Sequence, residues 1–546
     1  MELNQHIHHS QPRLNFDVLH LVCNYLTDVS DALSFALTCS TLRRGALQRR
    51  LRMSPVVLSS SVSVGRFYRF IFADAVARAP YIYGLKLFGT GFDPQKHHSR
   101  LHLIHTRLVT LLEAATHIEG LYTTAAMDGP ILTAAAKLTT LRELSVLSEA
   151  DSHPEVSRRF LTAVRSPLRY LHIPGHPPGE GLMSASFLHD QLAHFASTLE
   201  VLDVQYFTLD TSPSSVTTPF TVMRSLKTDS IRTFYEVDVL LRLFPNLRDI
   251  FIAYGLVPLD TTEPYAVIRQ RNKEAQKTCT WSRLDRVVCT ALSAYLMALQ
   301  CPIHHMDISQ HISYQNVWLN EPLRVNSPRQ LSFHLVLYDR IPGLHTLDEW
   351  FPPSVAAGGL SHLVVLLAYK VYRAQPTMVR SDPFSWDQFM DKLIDVMKHL
   401  HLTHLRIVFD YDLYQGDEPP TQRNRAAFDD DEFLNMVRGA DLHAAATRFF
   451  DAIPTLQYVF LTTCGHTYLP TRAGTDWSQK ARRKWSSSKA WQVDDVNEEL
   501  HWSDRKRVSC VEISSETAKV VMDREALYLV PEMEDNIRQC SDPLSK

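Results

Sequence analysis

Apolar residues in the first fifty positions recur at steps of three and four. Leu14, Phe16, Val18, Leu19, Val22, Tyr25 and Leu26 mark one side of a helix. The run Thr27-Asp28-Val29-Ser30-Asp31 breaks it, and Ser30 or Asp31 is placed to cap a second helix by accepting backbone N–H bonds. Leu33, Ala36, Leu37, Leu42, Ala46 and Leu47 then mark further amphipathic turns. Three short helices in about forty residues cannot bury all these side chains among themselves, so part of that surface is expected to need a partner. An ordinary helical hairpin packed on its own protein is the alternative.

From residue 60 onward a different pattern repeats. A helical segment runs into a short strand of the form Leu-x-x-Leu-x-Leu, with Ile, Val or Met allowed. Copies begin at Ile82, Leu141, Leu168, Leu199, Leu247, Ile303, Leu360, Leu402 and Leu456, and weaker echoes at Ile118, Met223 and Pro328. Most neighbouring starts lie roughly 23 to 32 residues apart, the period of leucine-rich repeats, and the longer gaps imply insertions. Each unit alone leaves an apolar face wet, so the units are expected to stabilise one another by stacking. The predicted fold is α/β. Three helices (14–55) precede an irregular leucine-rich-repeat solenoid of helix–strand units with a mostly parallel sheet (56–475). A C-terminal cap (476–530) follows, with a disordered tail at 1–13 and a flexible one at 531–546. A conventional α/β sheet with helices on both sides is the alternative. The usual repeat carries Asn or Cys three positions after its last Leu. Here that place holds Glu149, His176, Phe207, Gly255, His311, Asp410 and, once, Cys464, so the repeats are degenerate.

The N-terminal stretch resembles an F-box, the motif by which a substrate receptor docks on the Skp-type adaptor of a cullin-based (SCF) ubiquitin ligase. Leu14, Asp17, Val18, Leu19, Val22, Tyr25, Leu26, Asp31, Leu33 and Cys39 fit the family pattern. Asn15 stands where the family has Pro, and Leu42 near where many members carry Trp. An F-box followed by a long degenerate leucine-rich array resembles the large F-box families of basidiomycete fungi, and AWQVDD…EELHW is similar to the end of those chains. The resemblance implies a substrate-recognition subunit that contributes proximity rather than a reactive group. Its partners would be the Skp-type adaptor, through it a cullin, and an unknown protein target. Adaptor contacts are implied for Leu14, Phe16, Val18, Leu19, Val22, Leu26, Leu33 and Leu37. A leucine-rich interaction scaffold without a ligase role is the runner-up, and a hydrolase-like α/β enzyme a third reading.

Composition narrows the field. A chain of 546 residues exceeds one compact core, its 45% apolar content is ordinary, and its net charge of -3 argues against a surface that grips nucleic acid throughout. The eight cysteines are sparse and none shows C-x-x-C spacing, which suits reduced thiols in a cytoplasmic or nuclear protein. The most apolar runs are about a third of a membrane span, so no membrane partner is expected.

No phosphate loop, His-Glu-x-x-His or Gly-x-Ser-x-Gly occurs, so no catalytic residue, cofactor or metal is expected. His399, His401 and His404 are dense enough for a metal but read more simply as surface histidines, and Cys464 and His466 lie close in sequence. Several charged stretches also have bland readings. Arg43, Arg44, Arg49, Arg50 and Arg52 suit a helix C-terminus. Arg269, Arg271, Lys273 and Lys277 suit a solvated helix. The segment around Ser212 and the acidic run 429–432 suit loops or a helix start. Trp477, Trp485, Trp491 and Trp502 among basic residues suit a terminal cap, with nucleic-acid stacking as the alternative.

In a repeat array, the residues between and after the motif leucines would face a partner. They include Tyr170, His172, Asp203, Gln205, Asp249, Phe251, His305, Asp307, Arg406 and Tyr458, with Glu143, Ser145, His404 and Phe460 beside them. Solvation of the sheet is the competing role for all of them.

Overall fold

The computed structural model describes residues 15–87, 94–123, 129–146, 154–173, 183–208, 218–231, 236–252, 264–311, 318–338, 359–372, 386–414, 437–468, 482–493 and 509–541. The tail expected at 1–13, Leu14, Ser212, Trp477, Trp502 and the acidic run 429–432 lie outside these residues. The chain divides into two compact units, residues 1–228 and 229–546. Among the described residues no helix is long and apolar enough to cross a membrane.

The first unit opens with three helices, α1 (Phe16–Tyr25), α2 (Val29–Thr38) and α3 (Ser40–Met53). Asn15 caps α1 by accepting the Asp17 N–H at 3.0 Å. The cap of α2 is Asp28 rather than Ser30 or Asp31; its carboxylate accepts both their N–H groups, at 2.6 and 3.3 Å. An anion at a helix start also meets the positive end of the helix dipole, so the helix begins at its first chance. The helices meet through small residues. Cys23, Ala32, Ala36 and Ala46 are buried with Leu42, and a side chain at Gly45 would reach within 3.0 Å of the His20 ring. Arg49 is not merely solvated: its guanidinium donates to the Leu26 carbonyl at 3.1 and 2.8 Å, tying α3 to the end of α1.

The rest of the unit alternates helices with short strands: β1 (Val56–Leu58), β2 (Gly84–Leu87), β3 (Gly120–Thr123), β4 (Glu143–Val146), β5 (Tyr170–Ile173), β6 (Met183–Ser184) and β7 (Val201–Thr208). They pair in parallel in the order β1–β2–β3–β4–β5–β7, with β6 also on β7. The register places Leu85, Leu121, Leu144, Leu171 and Leu202 side by side, each with 0% exposure. This is the stacking that the repeated motif demands, because side chains two apart in a strand share one face. One carbonyl at each turn accepts both N–H groups that open the next strand. Glu119 O serves Arg142 and Glu143, Arg142 O serves Arg169 and Tyr170, and Arg169 O serves Glu200 and Val201.

Strand β8 (Ser225–Ile231) spans the boundary in sequence. The second unit then carries β9 (Asp249–Ile252), β10 (Leu284–Cys289), β11 (Ile303–His311), β12 (Gln330–Tyr338), β13 (His362–Tyr372), β14 (His404–Tyr414) and β15 (Tyr458–Tyr468), paired in parallel in chain order. Its strands reach 11 residues, against four in most of the first unit. Ile250, Val287, Met306, Leu331, Leu363, Leu405 and Val459 form the buried row, none more than 1% exposed. Strand β10 is a motif copy that the pattern missed. Leu284-x-x-Val287-x-Cys289 aligns with Ile303-x-x-Met306-x-Ile308, a buried Cys taking the last aliphatic place. All twelve motif starts found in the sequence lead into strands.

Two further features depart from the sequence pattern. Side-chain amides at or next to helix ends, rather than in the strand motif, bond turn carbonyls. Buried Asn272 donates to Leu296 O at 2.8 Å, Gln276 to Met297 O and Ala298 O at 3.1 Å, and Asn326 to Leu299 O and Cys301 O at 2.9 Å. These amides satisfy carbonyls around Ala298, which sits in the left-handed region at φ 48°. The helix Tyr265–Ala275 is not a solvated one throughout. Arg269 is buried, pairs with Glu321 at 2.6 Å and stacks 4.4 Å from the Tyr295 ring centroid.

Two antiparallel strands, β16 (Arg482–Val493) and β17 (Cys510–Ile513), end the sheet, and Trp491 extends the buried row beside Val459 with 0% exposure. Two helices follow, Ser515–Arg524 and Pro531–Ser541. The second was expected to be part of a flexible tail. Its Met533 and Ile537 instead pack against a cluster that Val521, Leu527 and Leu529, from the segment expected to be a cap, form with Val364, Leu366, Val408, Phe460 and Ala490. Burying a leucine stabilises by about 1.5–3 kcal/mol, enough to order a short segment with several such anchors. Residues 531–541 read as a tail because their apolar positions are few, and among the described ones Met533 and Ile537 find places against the sheet.

Candidate functional site

Three surfaces hold the residues expected to bind partners. The first is on α1 and α2. Small residues make the contacts between helices, so large ones point outward. Phe16, Val18, Val22 and Leu33 are 51, 45, 44 and 43% exposed, and Leu37 is 84% exposed. Leu19 and Leu26 are half-buried. The sequence reading left Leu21 out of the set, yet it is 56% exposed, and Tyr25 is 75% exposed beside it. A run of exposed apolar side chains at this density makes α1 and α2 a candidate contact surface.

The second surface is the face of the first unit's sheet opposite the leucine row. Register brings Glu143 beside Tyr170, and the row Lys86, Tyr122, Ser145, His172 and Asp203 runs across five strands. Glu143 is held by two phenols, Tyr83 at 3.3 Å and Tyr122. Asp203 accepts from Tyr170 at 3.3 Å. His172 Nδ1 lies 3.2 Å from Asp203 but lacks the alignment of a hydrogen bond. Burial and then the Asp203 carboxylate push the Tyr170 phenol well above its ordinary range, so it stays a donor at any physiological pH. An open pocket of about 560 Å³ is lined here by Tyr83, Tyr122, Glu143 and Tyr170 with Arg142 and Arg169. Gln205 lies on β7, and its side chain is outside those described.

The third surface is the corresponding face of the second unit, and here the structure corrects the expectation. Asp249 and Phe251 are half-buried, whereas His305, Asp307 and Arg406 are 8, 5 and 4% exposed. Asp307 pairs with Arg286 at 3.1 Å and His305 contacts Ser332 Oγ at 3.1 Å. The C-terminal segment itself covers Arg406. The Arg406 guanidinium donates to Leu527 O at 2.7 Å and grips both carboxylate oxygens of Glu534. Tyr458 packs against the same cluster. A separate target cannot reach Arg406 while this segment is in place.

Beside that ion pair, His362 and His404 stack in register on β13 and β14, ring centroids 4.4 Å apart and 5° from parallel. Glu525, in the turn after helix Ser515–Arg524, reaches His362 Nε2 at 3.2 Å. Burial lowers both imidazoles, that of His404 to about 4 with help from His362, so both are neutral at pH 7. His404 was singled out in the sequence with His399 and His401, but its neighbours in space come from β13 and the C-terminal turn.

Cys464 is wholly buried in the same cluster, its thiol 3.9 Å from Asp410, and the His466 side chain lies outside those described. A nucleophile sealed from solvent offers a substrate no approach. Trp485 lies under the Arg438 guanidinium at 5.5 Å.

The chain matches no protein-family model and no curated protein.

Proposed function

We propose that this protein is the substrate-recognition subunit of an SCF-type cullin ubiquitin ligase, with α1 and α2 docking on the Skp-type adaptor and the strand faces holding a target. The observation that carries this reading is the apolar surface of Phe16, Val18, Leu21, Val22, Tyr25, Leu33 and Leu37 on helices whose own contacts use alanine and cysteine. Burying such residues against a partner supplies binding free energy that the free chain lacks. The polar and aromatic face of the first unit's sheet, centred on Tyr170 and Asp203, is the target-binding surface of this reading.

The test is co-purification of the full chain with a purified Skp-type adaptor. The double variant Val22→Asp/Leu37→Asp should fold as the parent does, because both positions are exposed and surface changes shift stability by within about 0.5 kcal/mol. It should lose adaptor capture, since each carboxylate would be buried unpaired in the complex. Capture at parental yield sinks the reading. A parent chain that captures no adaptor points to a leucine-rich interaction scaffold instead.

A further inference from the structure

We propose that His362, His404 and Glu525 form a binding site for one divalent transition-metal ion of the zinc class, which pins the C-terminal segment to the sheet of the second unit. One donor atom from each of the three side chains lies within 4.8 Å of the other two. Both histidines are nine-tenths or more buried, and His404 Nε2 has no hydrogen-bond partner. An unpaired buried nitrogen is costly, which calls for a group that it can bind.

The surrounding hydrogen bonds assign the tautomers. Thr403 Oγ1 donates to the Ser361 carbonyl at 3.1 Å, which leaves its oxygen to accept from His404 Nδ1 at 2.9 Å. One strand earlier the roles reverse. Ser361 Oγ lies 3.4 Å from the Arg329 carbonyl but 2.7 Å from His362 Nδ1, to which its hydroxyl donates. His404 Nδ1 therefore carries the proton and its Nε2 a lone pair, whereas His362 accepts at Nδ1 and donates its Nε2 proton to Glu525 at 3.2 Å. Metal-binding histidines are oriented in this way by a hydrogen bond at the other ring nitrogen.

The His404 lone pair and the Glu525 carboxylate then flank His362 Nε2, and a divalent cation would replace the single proton that His362 shares with Glu525. Arg524 takes Glu525 Oε1 at 2.8 Å and leaves Oε2 directed at His362. Ligands on a tetrahedral zinc stand roughly 3.4 Å apart, and the His362–Glu525 spacing of 3.2 Å is already close to that. The two rings stack 5° from parallel, so their in-plane nitrogen lone pairs would converge on one ion only once the His404 ring turns. Two imidazoles and one carboxylate suit zinc and its first-row neighbours and leave a coordination position for water.

The site joins residues from β13 and β14 to the turn between the last two helices, so the ion would staple that segment over Arg406. This inference is independent of the ligase reading.

The full-length protein, stripped with chelator and desalted after addition of Zn²⁺, should retain about one equivalent more metal than His404→Ala or Glu525→Gln. His6, His8, His9 and the cysteines remain in every variant, so binding there cancels in the difference. Circular dichroism checks that the variants are folded. His401→Ala, an exposed neighbour, should retain the metal as the parent does. Zinc should also slow proteolysis within 509–541 about tenfold in the parent and not in the variants. Co²⁺ in the parent should give the visible absorption of a tetrahedral nitrogen and oxygen site, a measurement that needs no variant. Equal retention by parent and folded variants, or a folded parent without that absorption, overturns the proposal.

Discussion

His305 and Arg406 show how burial changes what a residue can do. Burial drives the His305 imidazole down to about 3, with Arg286 adding to the effect. The unfolded chain takes up that proton near pH 6.5, and the folded one refuses it until about pH 3. In that window the unfolded state binds more protons, so stability falls as pH falls, by up to about 1.4 kcal/mol per pH unit. Urea midpoints measured from pH 7 to 5 should drop less steeply in His305→Gln than in the parent. For Arg406, the informative change is in its partner. Glu534→Ala leaves a buried guanidinium without its carboxylate, and removing one member of a buried pair costs about 3–5 kcal/mol. Hydrogen exchange should show faster opening of helix Pro531–Ser541, while the first unit keeps its protection. The sequence marked both residues as candidates for contact, because alternation along a strand does place them off the leucine face. It could not show that the chain's own end covers Arg406, since Glu534 stands 128 positions away.

Strands and helices were the most legible elements. Each motif leucine that reached the buried row did so through period-two alternation, a property of the extended backbone alone. The strands that the pattern missed were short, antiparallel or, in β10, ended by Cys289. Close approach between strands is another feature of this level. A side chain on Gly84 would meet the Gly120 carbonyl oxygen at 2.5 Å, and backbone cannot yield as a flexible side chain does. Gly84→Ala should cost about 1–3 kcal/mol in thermal or urea unfolding, whereas Gly129→Ala, with nothing within 4 Å of the added carbon, should not destabilise through contact. The C-terminal segment offers a sharper test. A stop after residue 508 would uncover Val364, Leu366, Val408 and Phe460, and binding of an apolar dye should rise in the truncated protein. If dye binding stays at the parental level, the segment does not cover that face in solution.

Across the whole molecule, docking is proposed for the apolar surface of α1 and α2 and target binding for the polar, aromatic face of the first unit's sheet, and the two should fail separately. Val22→Asp/Leu37→Asp should abolish adaptor capture and leave partners held through Tyr170 and Asp203. Tyr170→Ala/Asp203→Ala should do the reverse, and affinity purification of both variants with the parent checks the separation. The hydrophobic pattern by itself determined the alternation of helices and strands, the leucine register and the apolar positions of the first helices. These follow from local backbone geometry and the exclusion of apolar groups from water, which act over a few residues at a time. Only the tertiary structure decided which sheet face stays open, which arginine is neutralised and which histidines converge. Glu525 meets His362 across 163 positions, and spacing in a chain does not encode contacts made by folding it back on itself.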